Sequence, residues 1–212
     1  IVALDRDSGA DRTDRSRFLA SRAALVLAEQ TFERFGRIKL NQPFEKSLAD
    51  KQAQMDITLQ AMEDLVGYEL ADVTAAATFY IAQTYFEFSQ SLLDSERPAG
   101  LTEAEKVDYE LVIEEEAYPF EEQAIAVHEE NHELLLSGIY NAWVQKSLDR
   151  LAVTMPGRYA KTETSEGYLG SIDVYAYRMP IAPPPLAEGA IDGETAPDAA
   201  AVIAGETAGD AN

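Results

Sequence analysis

The segment DVTAAATFYIAQTYFEFSQSLL, Asp72–Leu93, decides the fold class of this chain. Apolar side chains recur in it every three or four residues, with Val73, Ala77 and Tyr80 on one side and Ile81 on the next. This period is that of an α-helix. A helix that is apolar around most of its circumference has to be buried on several sides. The segment therefore predicts a central helix that other helices cover.

The same period predicts five more helices on either side of the central one. Two precede it, from Asp14 to Gly36 and from about Asn41 to Gly67, and the last one ends near Thr154. Between them, Thr102 and Glu105 form a capping box that starts a helix, because each side chain bonds a free backbone N–H of the first turn.

Pro119 lies inside the helical pattern that Thr102 starts. A proline lacks the N–H that a helix needs and disfavours helical geometry at the preceding residue. We therefore expect one helix to end near Ala117, a kink or short break at Pro119, and a second helix from there to Leu136.

The spacing of the last helices fits a tetratricopeptide (TPR) repeat, a unit of 34 residues in two antiparallel helices. When Pro156 is taken as its closing proline, Gly138 falls at the turn, and His128 and His132 fall where the two helices touch. Thr78, Ile81, Ala82 and Tyr85 match the repeat a second time. The sequence thus predicts an all-α, TPR-like antiparallel array of about six helices.

The character of the chain changes after this array. Residues 163–185 are rich in Tyr and Pro, and we expect an extended segment. Residues 186–212 are mostly Ala, Gly and acidic residues, which is typical of a flexible tail. The predicted division is therefore a helical domain over residues 1–162, the extended segment, and the tail.

The composition excludes several classes of function. The chain has 38 acidic and 17 basic side chains and a net charge of −21, so a nucleic-acid backbone would repel it. It has no Cys, which excludes disulfides, thiol catalysis and Cys-bound zinc. No stretch reaches the roughly 20 apolar residues that a membrane-spanning helix needs. A basic or partly apolar segment of another protein is the partner that the charge favours.

The sequence HEENH, from His128 to His132, is the one motif typical of an enzyme. On a helix the two His share a face and can bind Zn²⁺, while Glu129 can act as general base on a zinc-bound water. These are the only His of the chain, and Asp149 is the nearest carboxylate that could complete the site. A zinc-dependent metallopeptidase is therefore the alternative function; otherwise both His are packing residues and no cofactor is expected.

Several strings of this sequence resemble the C-terminal region of large bacterial TPR proteins associated with gliding-motility and TonB/Tol-like envelope machinery. The similar strings are Asp11-Arg-Thr-Asp-Arg-Ser-Arg-Phe18, Thr74-Ala-Ala-Ala-Thr-Phe-Tyr-Ile-Ala-Gln-Thr-Tyr85, Leu93-Asp-Ser-Glu-Arg-Pro98, Glu116-Ala-Tyr-Pro-Phe-Glu-Glu122 and Met155-Pro-Gly-Arg-Tyr159. The resemblance covers about residues 1–162. It implies the end of a longer chain that works in the periplasm or cell envelope of a Gram-negative bacterium, with the cytoplasm as the second choice.

The repeat pattern, the charge and the resemblance together predict a non-catalytic protein–protein scaffold among envelope-complex components. By the repeat register, one helix of each pair lines a concave partner-binding surface, formed by Phe79, Gln83, Phe86, Glu129, Glu133 and Leu136. Aromatic side chains bordered by acids suit a basic, partly apolar segment. A further alternative is a purely structural C-terminal cap of a longer helical solenoid.

Overall fold

The computed structural model describes residues 1–161 of this chain. The predicted extended segment and tail, residues 163–185 and 186–212, lie outside the described residues.

The described part is all-α, as predicted, with seven α-helices and no strand. Neighbouring helices pack antiparallel. Their bounds are α1 Val2–Asp7, α2 Asp14–Arg37, α3 Phe44–Val66, α4 Ala71–Leu93, α5 Glu103–Leu136, α6 Ala142–Thr154 and α7 Pro156–Tyr159, with a 3₁₀ turn at Gly9–Asp11.

The ends of these helices follow local chemistry. The predicted capping box of α5 is present, with the Glu105 carboxylate accepting from the Thr102 N–H at 2.8 Å. Gly138 has a positive φ of 77° just after α5. The N–H groups of Gly138 and Ile139 bond back to the carbonyls of Leu135 and Leu134, which is the C-terminal motif that glycine favours. Asn141 then caps α6.

Helix α4 is the central element, as its apolar circumference predicts. It packs against α3 and α5, its neighbours along the chain, and also against α2 and α6. One apolar cluster joins α2, α3 and α4 around Leu25, Met62 and Val73. A second joins the same helices to α5 around Phe88 and Ile113.

Helix α5 runs without a break through Pro119, so the predicted break is wrong. Ile113, Ala117, Phe120 and Ala124 pack inward on both sides of the proline, and the rings of Phe88 and Phe120 lie 4.6 Å apart. A proline inside a helix costs about 3 kcal/mol. Burial of one large apolar side chain gives about 1.5–3 kcal/mol, so this face outweighs the local preference.

Buried charges support α2 at both ends. The Lys51 ammonium donates to the carbonyls of Phe35 and Ile38 at 3.2 and 2.8 Å, so that it caps the C-terminal end of α2. Burial lowers the pKa of Lys51. At the N-terminal end of α2, the buried Asp5 carboxylate accepts from the Ser16 hydroxyl at 2.8 Å and from Arg12 at 2.7 Å. The Arg12 contact lowers the pKa of Asp5.

No helix within residues 1–161 is long and apolar enough to span a membrane.

Candidate functional site

His128 lies in a buried chain of hydrogen bonds that joins α4, α5 and α6. Arg150 of α6 donates to Oε1 of the Gln83 side-chain amide at 2.9 Å. The NH₂ group of the same amide therefore faces Nε2 of His128, at 3.0 Å. An amide NH₂ can only donate, so this ring nitrogen has to be the acceptor. The Nδ1 of His128 therefore carries the hydrogen and donates to Oγ of Ser147 at 3.1 Å.

Asn131 extends this chain of hydrogen bonds along α5. Its amide nitrogen donates to Oγ of Ser147 at 3.0 Å and to the Ala75 carbonyl of α4 at 2.9 Å. The Asn131 and Ser147 side chains are both fully buried. We call the linked side chains of Gln83, His128, Asn131, Ser147 and Arg150 the three-helix network.

The network requires a neutral His128. The residue is only 3% exposed, and burial together with the nearby Arg150 charge lowers its pKa to about 4. A proton on Nε2 would meet the donating amide of Gln83, so protonation would break this hydrogen bond. The histidine that joins the three helices therefore changes its protonation state in acid.

The two His and Glu129 of the HEENH motif, the residues that a zinc site would use, have other contacts in this fold. Both ring nitrogens of His128 are used, and the ring of His132 packs edge-on against Tyr159, with centroids 5.7 Å apart. The Glu129 carboxylate accepts from Arg158 at 2.6 Å and from the Tyr159 hydroxyl at 2.7 Å, so it holds α7 against α5. Burial and this hydrogen bond raise the pKa of Tyr159.

A metal would therefore have to displace existing hydrogen bonds. The Asp149 carboxylate accepts from Gln145 at 2.7 Å. Within the described residues, no three or more His, Cys, Asp or Glu form a group that could hold a metal ion.

The predicted partner-binding residues of α4 face α6. Phe79 packs against Trp143, with ring centroids 5.6 Å apart, and the Lys146 ammonium lies 3.9 Å from the Trp143 ring centroid. The Arg150 guanidinium lies 5.3 Å from the Phe86 ring centroid. Gln83 belongs to the three-helix network and is 4% exposed, so a partner reaches its amide only if α6 moves.

The predicted residues of α5 are more accessible. Glu133 is exposed, and Leu136, at the end of the helix, is 86% exposed. Glu129 is half-buried by its contacts with α7. Gln83 contacts α5 through His128, which is not one of the predicted partner-binding residues, and this hydrogen bond lies in the interior.

A second apolar face runs along the N-terminal half of α5, and sequence reasoning missed it. Val107, Leu111 and Tyr118 are spaced four and seven residues apart, which places them on one side of the helix, and all three are exposed. Glu114 lies on the same side between Leu111 and Tyr118, and Glu110, Glu115 and Glu122 border them. We call Val107, Leu111 and Tyr118 the outer stripe of α5.

The outer stripe could have been found from the sequence. Helix α5 has one apolar series through Ile113, Ala117 and Phe120, and a second through Val107 and Leu111 that is out of phase with it. The inner series packs on α4. Helix α6, with 13 residues against 34 in α5, packs at the other end of α5, where His128 and Asn131 meet Ser147.

Comparison with protein-family models, with curated protein sequences and with solved structures finds no match for this chain.

Proposed function

We propose that this protein is a non-catalytic, TPR-like scaffold that binds other proteins within a cell-envelope complex in the periplasm of a Gram-negative bacterium. The location rests on the resemblance to large envelope TPR proteins. The helix arrangement supports the TPR-like description, because α4 packs against α2 and α6 as well as against its neighbours along the chain. Alternate helices of a repeat array contact one another in this way.

The observation that carries the scaffold function is the outer stripe of α5. Leu111 is 64% exposed and Val107 65% exposed on a helix that already buries another apolar face. Exposed apolar surface bordered by polar residues marks interaction sites. Because the border is made of glutamates, the surface suits an amphipathic helix whose own apolar face is bordered by Lys or Arg.

A labelled synthetic peptide tests this function. We expect a Leu- and Lys-containing amphipathic helix to bind in fluorescence anisotropy, and a peptide of the same composition with its leucines scattered around the helix to bind at least about tenfold more weakly. Leu111→Lys should weaken binding by a similar factor, because it places a charge in the apolar contact.

Ile57→Lys is the matched control, since Ile57 is a similarly exposed apolar residue of α3, with 54% exposure. It should bind like the wild type. Equal binding of the two peptides, or full binding by Leu111→Lys, would contradict the proposal. A chain that serves only as a structural cap would bind neither peptide.

A further inference from the structure

Helix α2 has an outer apolar stripe of its own. Leu19, Ala23 and Val26 recur every four and three residues on one side of α2, and Leu19 and Val26 are about half exposed. The opposite side packs against α3 and α4 through Leu25 and Ala28. We call Leu19, Ala23 and Val26 the outer stripe of α2.

The charge around this stripe is opposite to that around the outer stripe of α5. Arg15 and Arg22 lie beside the α2 stripe, and Arg22 also pairs with Asp72 of α4 at 2.8 Å. Residues 1–40 hold eight of the 17 basic side chains and six of the 38 acidic ones. Helix α5 holds twelve acidic side chains and one basic one. The two stripes are therefore complementary in charge, and each presents exposed apolar side chains.

We propose that the outer stripe of α2 in one copy of this chain docks on the outer stripe of α5 in a second copy. The proposal names a partner for the α5 surface and so rests on the proposed function. Two apolar helix faces that pack together exclude water, and the arginines beside one would meet the glutamates beside the other. At a rise of 1.5 Å per residue, the stripes are about 10 and 16 Å long, so they can lie side by side.

The net charge of −21 opposes the approach of two copies. At physiological ionic strength the Debye length is about 8 Å, so charges outside the contact are largely screened. The groups at the contact decide the outcome. These are Arg15 and the Asp72-paired Arg22 on one side and glutamates on the other.

When a single pair of stripes joins two copies, the interface is head-to-tail. Each bound copy keeps one free α2 stripe or one free α5 stripe, so association proceeds beyond the dimer into rings or short chains. This property distinguishes the proposed contact from a symmetric dimer, in which both copies use the same surface.

Two complementary double variants test the contact by sedimentation velocity at rising protein concentration in 0.15 M salt. Leu19→Glu with Val26→Glu blocks the α2 stripe, and Val107→Lys with Leu111→Lys blocks the α5 stripe. We expect the wild type to associate and each double variant to need at least about tenfold more protein to do so. An equal mixture of the two variants should form a 1:1 dimer that does not grow, because only one intact pair of stripes remains.

The replaced side chains are exposed, so the variants should fold, and their far-UV circular dichroism and melting temperature verify this. Ile57→Glu on α3 is the matched control and should associate like the wild type. Association that persists in either double variant alone would overturn the proposal, as would a mixture that stays monomeric. A wild type that stays monomeric at 200 μM would also overturn it.

The peptide experiment separates this proposal from the proposed function. A monomeric chain that still binds the basic amphipathic peptide through Leu111 would take a helix of another protein, and only the self-association would be rejected. If the chain neither associates nor binds the peptide, both the self-association and the proposed function are rejected.

Discussion

His128 joins α4, α5 and α6 through two hydrogen bonds. The one that Nε2 accepts from Gln83 needs the neutral form of the ring. In an unfolded chain its pKa is about 6.5, and burial lowers it to about 4 in the fold. Between these pH values the unfolded state binds the extra proton. The free energy of unfolding therefore falls as the pH falls from 6.5 towards 4, and this histidine contributes at most about 1.4 kcal/mol per pH unit.

His128→Gln should reduce this pH dependence. The substituted amide does not titrate, and its oxygen can still accept from Gln83. We expect urea unfolding curves between pH 4 and 7 to show a smaller loss of stability in the variant than in the wild type. The carboxylates titrate in both proteins, so the difference between the two curves reports His128.

His132→Gln is the control, because it removes the other histidine and leaves the three-helix network intact. The prediction fails if the His128 variant and the wild type lose stability in parallel. The same variants examine the zinc alternative. A melting temperature that zinc raises in the wild type, but not in His128→Gln, would favour a metal site over the network.

At the scale of the element, α5 retains a proline that its packing tolerates. Pro119 is exposed and removes the backbone hydrogen bond to the carbonyl four residues earlier. Pro119→Ala should restore this bond without removing a packing contact. We expect the free energy of unfolding to rise by about 1–3 kcal/mol in denaturant titrations.

Glu103→Pro places a proline at the first position of the same helix as a contrast. The backbone N–H that the proline removes has no helical partner at this position. The preceding Thr102 is already extended, with ψ at 164°. This variant should change stability by less than about 0.5 kcal/mol. Destabilisation by Pro119→Ala would show that the proline has a packing role.

Helix ends are the part of this fold that the sequence predicts best. Gly67, Gly138 and the capping box of Thr102 act through their own backbone neighbours, so a local rule is sufficient. The break at Pro119 was predicted wrongly for the same reason. The local preference is real, but the packing of Phe120 on Phe88 outweighs it, and residues 32 positions apart leave no local signal.

At the candidate site, too, the sequence predicts the local feature and misses the contacts between distant residues. The repeat register predicts His128 at a helix contact, and the structure confirms that the residue is buried between helices. Its hydrogen bonds could not be predicted, because they involve Gln83 and Arg150 on two other helices. The burial of Lys51 was missed because lysine is normally exposed, and only the approach of α3 to the end of α2 provides its carbonyl partners.

At the scale of the whole molecule, the acidic charge is concentrated on α5. Glu110 and Glu114 lie one turn apart there, and like charges at this spacing destabilise a helix by about 0.2–0.5 kcal/mol per pair. The surface ion pairs act in the opposite sense. Pairs such as Arg22 with Asp72 and Arg37 with Glu33 are exposed, and each is worth about 0–1 kcal/mol.

Salt screens both effects, so the sign of its influence on stability shows which one prevails. The 38 acidic side chains outnumber the 17 basic ones more than twofold, so we expect repulsion to prevail and sodium chloride to stabilise the fold. Relief of about 1–2 kcal/mol between 20 mM and 0.5 M salt corresponds to a rise in melting temperature of about 2–8 °C. The measurement uses the variant Leu19→Glu with Val26→Glu, in which we expect no contribution from self-association. Adding Glu110→Gln, Glu114→Gln and Glu115→Gln should raise the melting temperature at 20 mM salt and reduce the response to salt, because these glutamates face solvent on the most acidic helix. A melting temperature that falls with salt would mean that ion pairs dominate. An unchanged response in the triple Gln variant would show that the repulsion does not come from these three glutamates.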